Sequence, residues 1–196
     1  MPPASQSTAL TLRGQFRQLY AALKRNDLLA TTPVVFCEGD SWFSTPLAMN
    51  LLDWIVSPAP DDEARGVPLF GKGGLFFRVE RSGDHASLNR AKPNRSMFVR
   101  RNIDDLLGWY RKFDFDLVLL SAGGNDFVEG FLQQTFAGLQ GLSPRAAYQR
   151  VEASGRFHDV RAAYELFVST FVAARPQVRS WRTPTRIRAG SATAGR

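Results

Sequence analysis

Two rhythms of apolar and polar positions run along the chain, and together they predict strands alternating with helices. From Leu10 to Leu29, the residues Leu12, Phe16, Leu19, Tyr20, Leu23 and Leu28 recur at helical spacing. Arg13, Arg17, Lys24 and Arg25 fall largely elsewhere, so an amphipathic helix is predicted over this stretch. Pro33 stops any continuation. Val34-Val35-Phe36-Cys37 is a short, β-branched apolar run with the length of a buried parallel strand. Pro46 to Val56 predicts a helix that starts on proline and carries Leu47, Leu51, Leu52 and Ile55 on one face. Ser57 to Pro68, rich in Pro and Asp, reads as a loop. A second strand is predicted over Leu75 to Glu80, a polar irregular segment over Ala86 to Ser96, and a helix over Val99 to Phe113. A third strand follows over Asp116 to Ser121, then two helices, roughly Pro144 to Ala153 and Phe157 to Ala174.

Strands alternating with helices imply an α/β protein: a doubly wound (flavodoxin-like) parallel sheet with helices on both faces. The chain has 196 residues, 44% of them hydrophobic, which suits one core rather than two. The single cysteine, Cys37, rules out an intrachain disulfide and fits a reducing compartment. Met1-Pro2-Pro3-Ala4-Ser5-Gln6 lacks the basic and apolar regions of a signal peptide. No run approaches the roughly 18 apolar residues that a membrane helix needs. These features predict a cytoplasmic protein with no membrane partner.

Charge changes the picture at one end only. The net charge of +7 invites a nucleic-acid reading. Six of the 25 basic residues are Arg175, Arg179, Arg182, Arg186, Arg188 and Arg196, in a stretch without an acid. The rest holds 19 basic against 18 acidic residues. The body is nearly neutral, and no nucleic-acid partner is expected. From Arg179 the composition of Arg, Ala, Gly, Pro and Thr shows no apolar periodicity. Two readings stay open: a disordered basic tail, or a gene read out of frame, whose shifted codons allow a fourth strand. The organisation expected is an N-terminal helix over 1–32, an α/β domain over 33–178 and the tail over 179–196. A sheet that stops there is C-terminally incomplete. It would leave a strand edge open and helix faces uncovered, which predicts poor solubility or marginal stability.

Each predicted strand ends in a loop that holds glycine and a polar side chain. In an open α/β sheet, ligands bind at the carboxyl ends of the strands, so Ser41, Gly83 and Asn125 are expected on one edge. Ser41 follows Gly39 and Asp40 in a tight turn that can present its hydroxyl. Gly83 leaves the backbone N–H accessible, and Asn125 offers an amide donor. A serine with donors aimed at a developing oxyanion is the acyl-transfer arrangement. Each block alone also reads as an ordinary turn, with Asp40 as a helix cap. It is the three in order that point to chemistry.

Gly39-Asp40-Ser41 resembles the first block of the GDSL/SGNH hydrolases, and Gly123-Gly124-Asn125-Asp126 resembles their Gly-x-Asn-Asp block. Gly83 lies between them, where the family has its glycine. More narrowly, Glu38-Gly39-Asp40-Ser41-Trp42-Phe43 and Arg81-Ser82-Gly83-Asp84 resemble a group of bacterial SGNH proteins. The match runs from about Val34 to Val128. The resemblance implies that Ser41 is the nucleophile of an ester hydrolase. It also implies an oxyanion hole made by the N–H groups of Ser41 and Gly83 and the side chain of Asn125. Asp40 and Asp126 would hold loops. No cofactor or metal is implied, and the partner is a small-molecule ester.

The family's late Asp-x-x-His block has no counterpart here. The chain has two histidines, His85 beside Gly83 and His158 in Arg156-Phe157-His158-Asp159, and neither stands in family order. Because the mechanism needs an imidazole base, the chain as written is expected to be inactive or impaired. The alternative is a non-catalytic module that binds an ester or carbohydrate. Nucleotide binding is not expected, because no Gly-x-Gly-x-x-Gly follows the first strand. Trp42 and Phe43 read either as an acyl-pocket lining or as core.

Overall fold

The computed structural model describes residues 9–11, 13–44, 50–56, 74–88, 93–128 and 130–175. The predicted loop over 57–68, the start of the Pro46 helix and the tail over 179–196 lie outside these residues. The described chain is an α/β fold around a four-stranded sheet in the order β1-β3-β2-β4, parallel throughout. The strands are β1 (Ala9–Thr11), β2 (Val34–Gly39), β3 (Leu75–Arg78) and β4 (Leu117–Ser121). The helices are α1 (Arg13–Arg25), α2 (Ser41–Ser44), α3 (Leu51–Val56), α4 (Arg100–Lys112), α5 (Gly130–Phe136), α6 (Pro144–Ala153) and α7 (Arg156–Ala174).

Strand β2 is central and buried along its whole length. That is why it reads as a continuous apolar run rather than an alternating one. Side chains at successive positions point to opposite faces. Val34 and Phe36 therefore join a large core with Phe16 and Tyr20 of α1, Ile103, Leu107 and Tyr110 of α4, and Phe167 and Phe171 of α7. Val35 and Cys37 face the other way, toward Phe43, Leu52 and Phe76. Helices thus cover both faces, as the alternating pattern implies. The larger core is mostly aromatic. Phe16 lies against Phe77 with ring centroids 4.6 Å apart, and Tyr110 against Phe171 at 4.7 Å. Both pairs are tilted, and edge-on pairs such as Phe16–Phe113, with centroids 5.1 Å apart, add roughly 0.5–1.5 kcal/mol each beyond area burial.

The structure departs from the sequence reading at several elements. The stretch from Leu10 is not all helix: Ala9–Thr11 is an edge strand paired with Leu75–Phe77, and the helix starts at Arg13. Three residues are too few to show a period of two, and the helical spacing downstream masks them. Helix α5 is not predicted by the pattern of apolar positions. It opens on Gly130 and buries none of its residues, so it carries no apolar stripe. The segment after Ala86 is not wholly irregular. Pro93–Arg95 forms a 3-10 turn, and His85 forms a parallel bridge with Ser96. Helix α1 also ends at Arg25, four residues before the predicted Leu29, and the one-turn α2 at Ser41–Ser44 is not predicted. Elsewhere the boundaries agree to within a residue or two: α4 is flanked by Val99 and Phe113, and α6 starts at Pro144 behind the Ser143 cap.

Candidate functional site

The carboxyl ends of β2, β3 and β4 lie side by side, and each carries one of the three blocks. The central strand binds both neighbours at its last residues. Asp40 N–H donates to the Ser121 carbonyl at 2.9 Å, and Arg81 N–H donates to the Gly39 carbonyl at 2.9 Å. Gly39 is required by space. A Cβ there would stand 2.6 Å from the Phe43 ring and 3.0 Å from the Ser121 carbonyl oxygen. Ser41 opens α2 immediately beyond this contact and is half-buried.

Asp40 shapes the turn. Its carboxylate accepts from Trp42 N–H at 3.1 Å and from the Ser121 hydroxyl at 3.3 Å. Its own carbonyl accepts from Phe43 N–H and the Ser44 hydroxyl. Asp40 is almost fully buried. Burial pushes its carboxyl above the usual carboxylate range, opposed by the Trp42 and Ser121 donors.

The Gly83 block is a tight turn in which Asp84 N–H donates to the Arg81 carbonyl at 3.2 Å. Gly83 sits at the third position with φ +81°, the conformation a type II turn reserves for glycine. Arg95 clamps this turn from outside, donating to the Ser82 carbonyl and to the Asp84 carboxylate, both at 2.9 Å. The Asn125 amide donates to the Asp84 carbonyl at 2.8 Å. That commits one of its two amide hydrogens and leaves the other for a ligand.

Asp126 is buried and accepts from Ala86 N–H at 2.7 Å, from Ser87 N–H at 3.0 Å and from the Ser87 hydroxyl. It therefore ties the segment after Gly83 to the loop after β4. Hydrogen bonds to a charged group contribute about 1.5–3 kcal/mol each. Gly124 lies at the same junction: a Cβ there would come within 3.6 Å of the Trp42 indole nitrogen and 3.8 Å of the Asp40 carboxylate, ordinary contact distances. The three loops form one cross-braced platform.

The aromatic pair next to Ser41 divides. Phe43 is buried in the smaller core, whereas Trp42 is 66% exposed. The histidines also divide. His158 has an 85% exposed side chain 3.8 Å from Asp159. His85 is half-buried, and its backbone is held by the Arg95 carbonyl and Met97 N–H.

Other residues that shape the site had no local signal in the sequence. Tyr164 of α7 both accepts from Ala122 N–H and donates to the Ala122 carbonyl, each at 2.9 Å, and so fixes the chain leaving β4. Arg78 donates to the Phe43 carbonyl at 3.0 Å and pairs with buried Glu80, bracing the end of the Ser41 turn. Ser87 lies in a segment that reads as filler. A groove of about 480 Å3 between Ala86–Leu88, the start of α4 and α7 begins where this segment leaves the platform.

No helix among the described residues is long and apolar enough to cross a membrane, and none of their His, Cys, Asp and Glu side chains form a group that could hold a metal ion. In comparison with known proteins, the chain matches no family model, no curated protein and no solved structure.

Proposed function

We propose that this chain carries the nucleophile platform of a serine ester hydrolase of the SGNH/GDSL type, with Ser41 as the nucleophile. The observation that carries the reading is the bracing of the Ser41, Gly83 and Asn125 loops at three adjacent strand ends. In the proposed reaction the Ser41 hydroxyl oxygen attacks the ester carbonyl carbon, and its proton passes to a base. The oxyanion is met by the N–H groups of Ser41 and Gly83 and by the free hydrogen of the Asn125 amide. Collapse releases the alcohol, and water then releases the acid from the acyl-serine. Asp40 and Asp126 hold the loops. The groove beyond Ser87, with Leu88, Phe98 and Leu166 among its walls, offers an apolar place for an acyl chain.

A second reading is a module that holds an ester or carbohydrate without turning it over. The placement of His158 favours it, since its imidazole is 85% exposed to solvent. One experiment separates the two. The purified chain is treated with a fluorophosphonate, and the adduct is located by mass spectrometry alongside hydrolysis of p-nitrophenyl acetate. Labelling at Ser41, with hydrolysis abolished in Ser41→Ala, supports the hydrolase. Absence of both, with ester binding unchanged in Ser41→Ala, supports the module.

A further inference from the structure

The groove of about 480 Å3 beyond Ser87 falls within the size range of small-molecule sites, roughly 300–1,000 Å3. Its apolar walls come from three parts of the chain: Leu88 after β3, Phe98 and Val99 at the entry to α4, and Ala162, Ala163 and Leu166 on α7. Phe98 is 1% exposed and lies against Tyr164 and Phe167, with ring centroids 5.0 Å and 4.7 Å apart, so the core fixes that wall. Leu88 is 54% exposed and Leu166 is 36% exposed, which leaves two large apolar side chains of the walls in water.

The polar groups of the walls narrow what the groove can hold. Ser87 bonds Asp126 through its N–H and hydroxyl, and it accepts from Arg156 at 3.3 Å. Arg100 pairs with Asp104 at 3.4 Å. Arg100 and Asp159 carry opposite charges, so the walls have no net charge. A carbohydrate needs a partner for each hydroxyl it buries, and a charged ligand needs a countercharge. An apolar chain needs neither and is driven in by the water it displaces. The position of the groove adds a second argument. Ser87 is at once a wall residue and a partner of Asp126, next to the oxyanion donor Asn125, so the groove is continuous with the platform. A chain of about eight carbons fills about half of it, taking a methylene as similar in size to a water at roughly 30 Å3.

We propose that this groove seats the acyl chain of a medium-chain ester, about eight carbons long. The substrate class of the platform is then an acyl ester of that length rather than an acetyl ester or a carbohydrate. That the chain belongs to an ester rests on the hydrolase reading; the affinity of the walls for the chain does not. Leu88 and Ala162 set the length accepted: Leu88 supplies apolar surface, and Ala162 is a small exposed residue whose enlargement fills the groove.

1-Butanol, 1-hexanol and 1-octanol are titrated into the isotopically labelled chain and followed by amide chemical shifts. Saturable shifts are expected at residues 86–88, 98–100 and 159–166, with Kd falling about two- to fourfold per added methylene. Leu88→Asp and Ala162→Trp, both at exposed positions, should each weaken octanol binding by about tenfold or more. In kcat/KM, p-nitrophenyl octanoate should exceed p-nitrophenyl acetate, and Ala162→Trp should reverse that order. Four results would overturn the proposal: no saturable shifts at the groove, a Kd independent of chain length, octanol binding unchanged in both variants, or a preference for acetate in a parent chain that hydrolyses both esters. The hydrolase reading survives any of these if Ser41 is still labelled by a fluorophosphonate. Chain-length-dependent binding without that label upholds the groove and ends the hydrolase reading.

Discussion

Two side chains carry the sharpest expectations at the scale of the residue. Asn125 bonds the Asp84 carbonyl and offers its second amide hydrogen to an oxyanion. If the hydrolase reading holds, Asn125→Ala should lower turnover of p-nitrophenyl acetate by about 10²–10³ while leaving KM nearly unchanged. Glu38 gives an expectation for stability. Its folded-state pKa lies above the unfolded value of about 4.3. The folded protein therefore binds the proton more tightly, and this contribution is complete below about pH 4. It is lost as pH rises through the folded pKa. Glu38→Gln should flatten the fall in Tm between mildly acidic and alkaline pH and raise Tm at the alkaline end. Thermal melts across that range decide it; an unchanged profile would remove Glu38 from the pH response. The three turn blocks were legible in the sequence because glycine and short polar residues at strand ends are local signals. Glu38 was not, since a glutamate in a strand reads as surface until its neighbours are known.

At the scale of the element, the legible parts are those with many residues in period. Helix α4 repeats Ile103, Leu106, Leu107 and Tyr110 on one face, and its boundaries follow from that face. Strand β1 and helix α5 were invisible for opposite reasons. The first is three residues long, and the second buries none of its seven. Contacts between elements were illegible altogether. Tyr164 and Ala122 are 42 residues apart, and nothing in the apolar face of α7 marks that tyrosine as the one that holds β4. Burial raises the pKa of its hydroxyl, against the Ala122 bond. Tyr164→Phe removes both bonds to Ala122 and leaves its N–H and carbonyl without that partner. A loss of about 1–3 kcal/mol is expected in urea denaturation; a loss within error would show that water replaces the hydroxyl.

At the scale of the whole molecule, the sheet is unequal at its two sides. Among the described residues β4 pairs only with β2, and all five of its residues are half-buried, whereas β2 is buried throughout. Leu166, Val168 and Val172 on α7 are exposed as well. An apolar strand at an edge is a template for pairing with another chain. Sedimentation velocity over a concentration series should therefore show self-association that urea below the unfolding midpoint reverses. A single monomer at every concentration would show that this edge is protected.

The parallel order of the strands also bears on how the chain is made. Strand β1 finds its partner only at residues 75–77, and the central strand finds its second partner at residues 117–121. The Val34 amide is closed by the Asp116 carboxylate, 82 residues on. A ribosome that has just released Val34-Val35-Phe36-Cys37 must thus extend the chain by dozens of residues before this strand has anything to pair with. At roughly 5–20 residues per second that interval lasts seconds. The newborn chain spends it with this apolar segment bare, so it should be a client of the chaperones that wait at the exit tunnel.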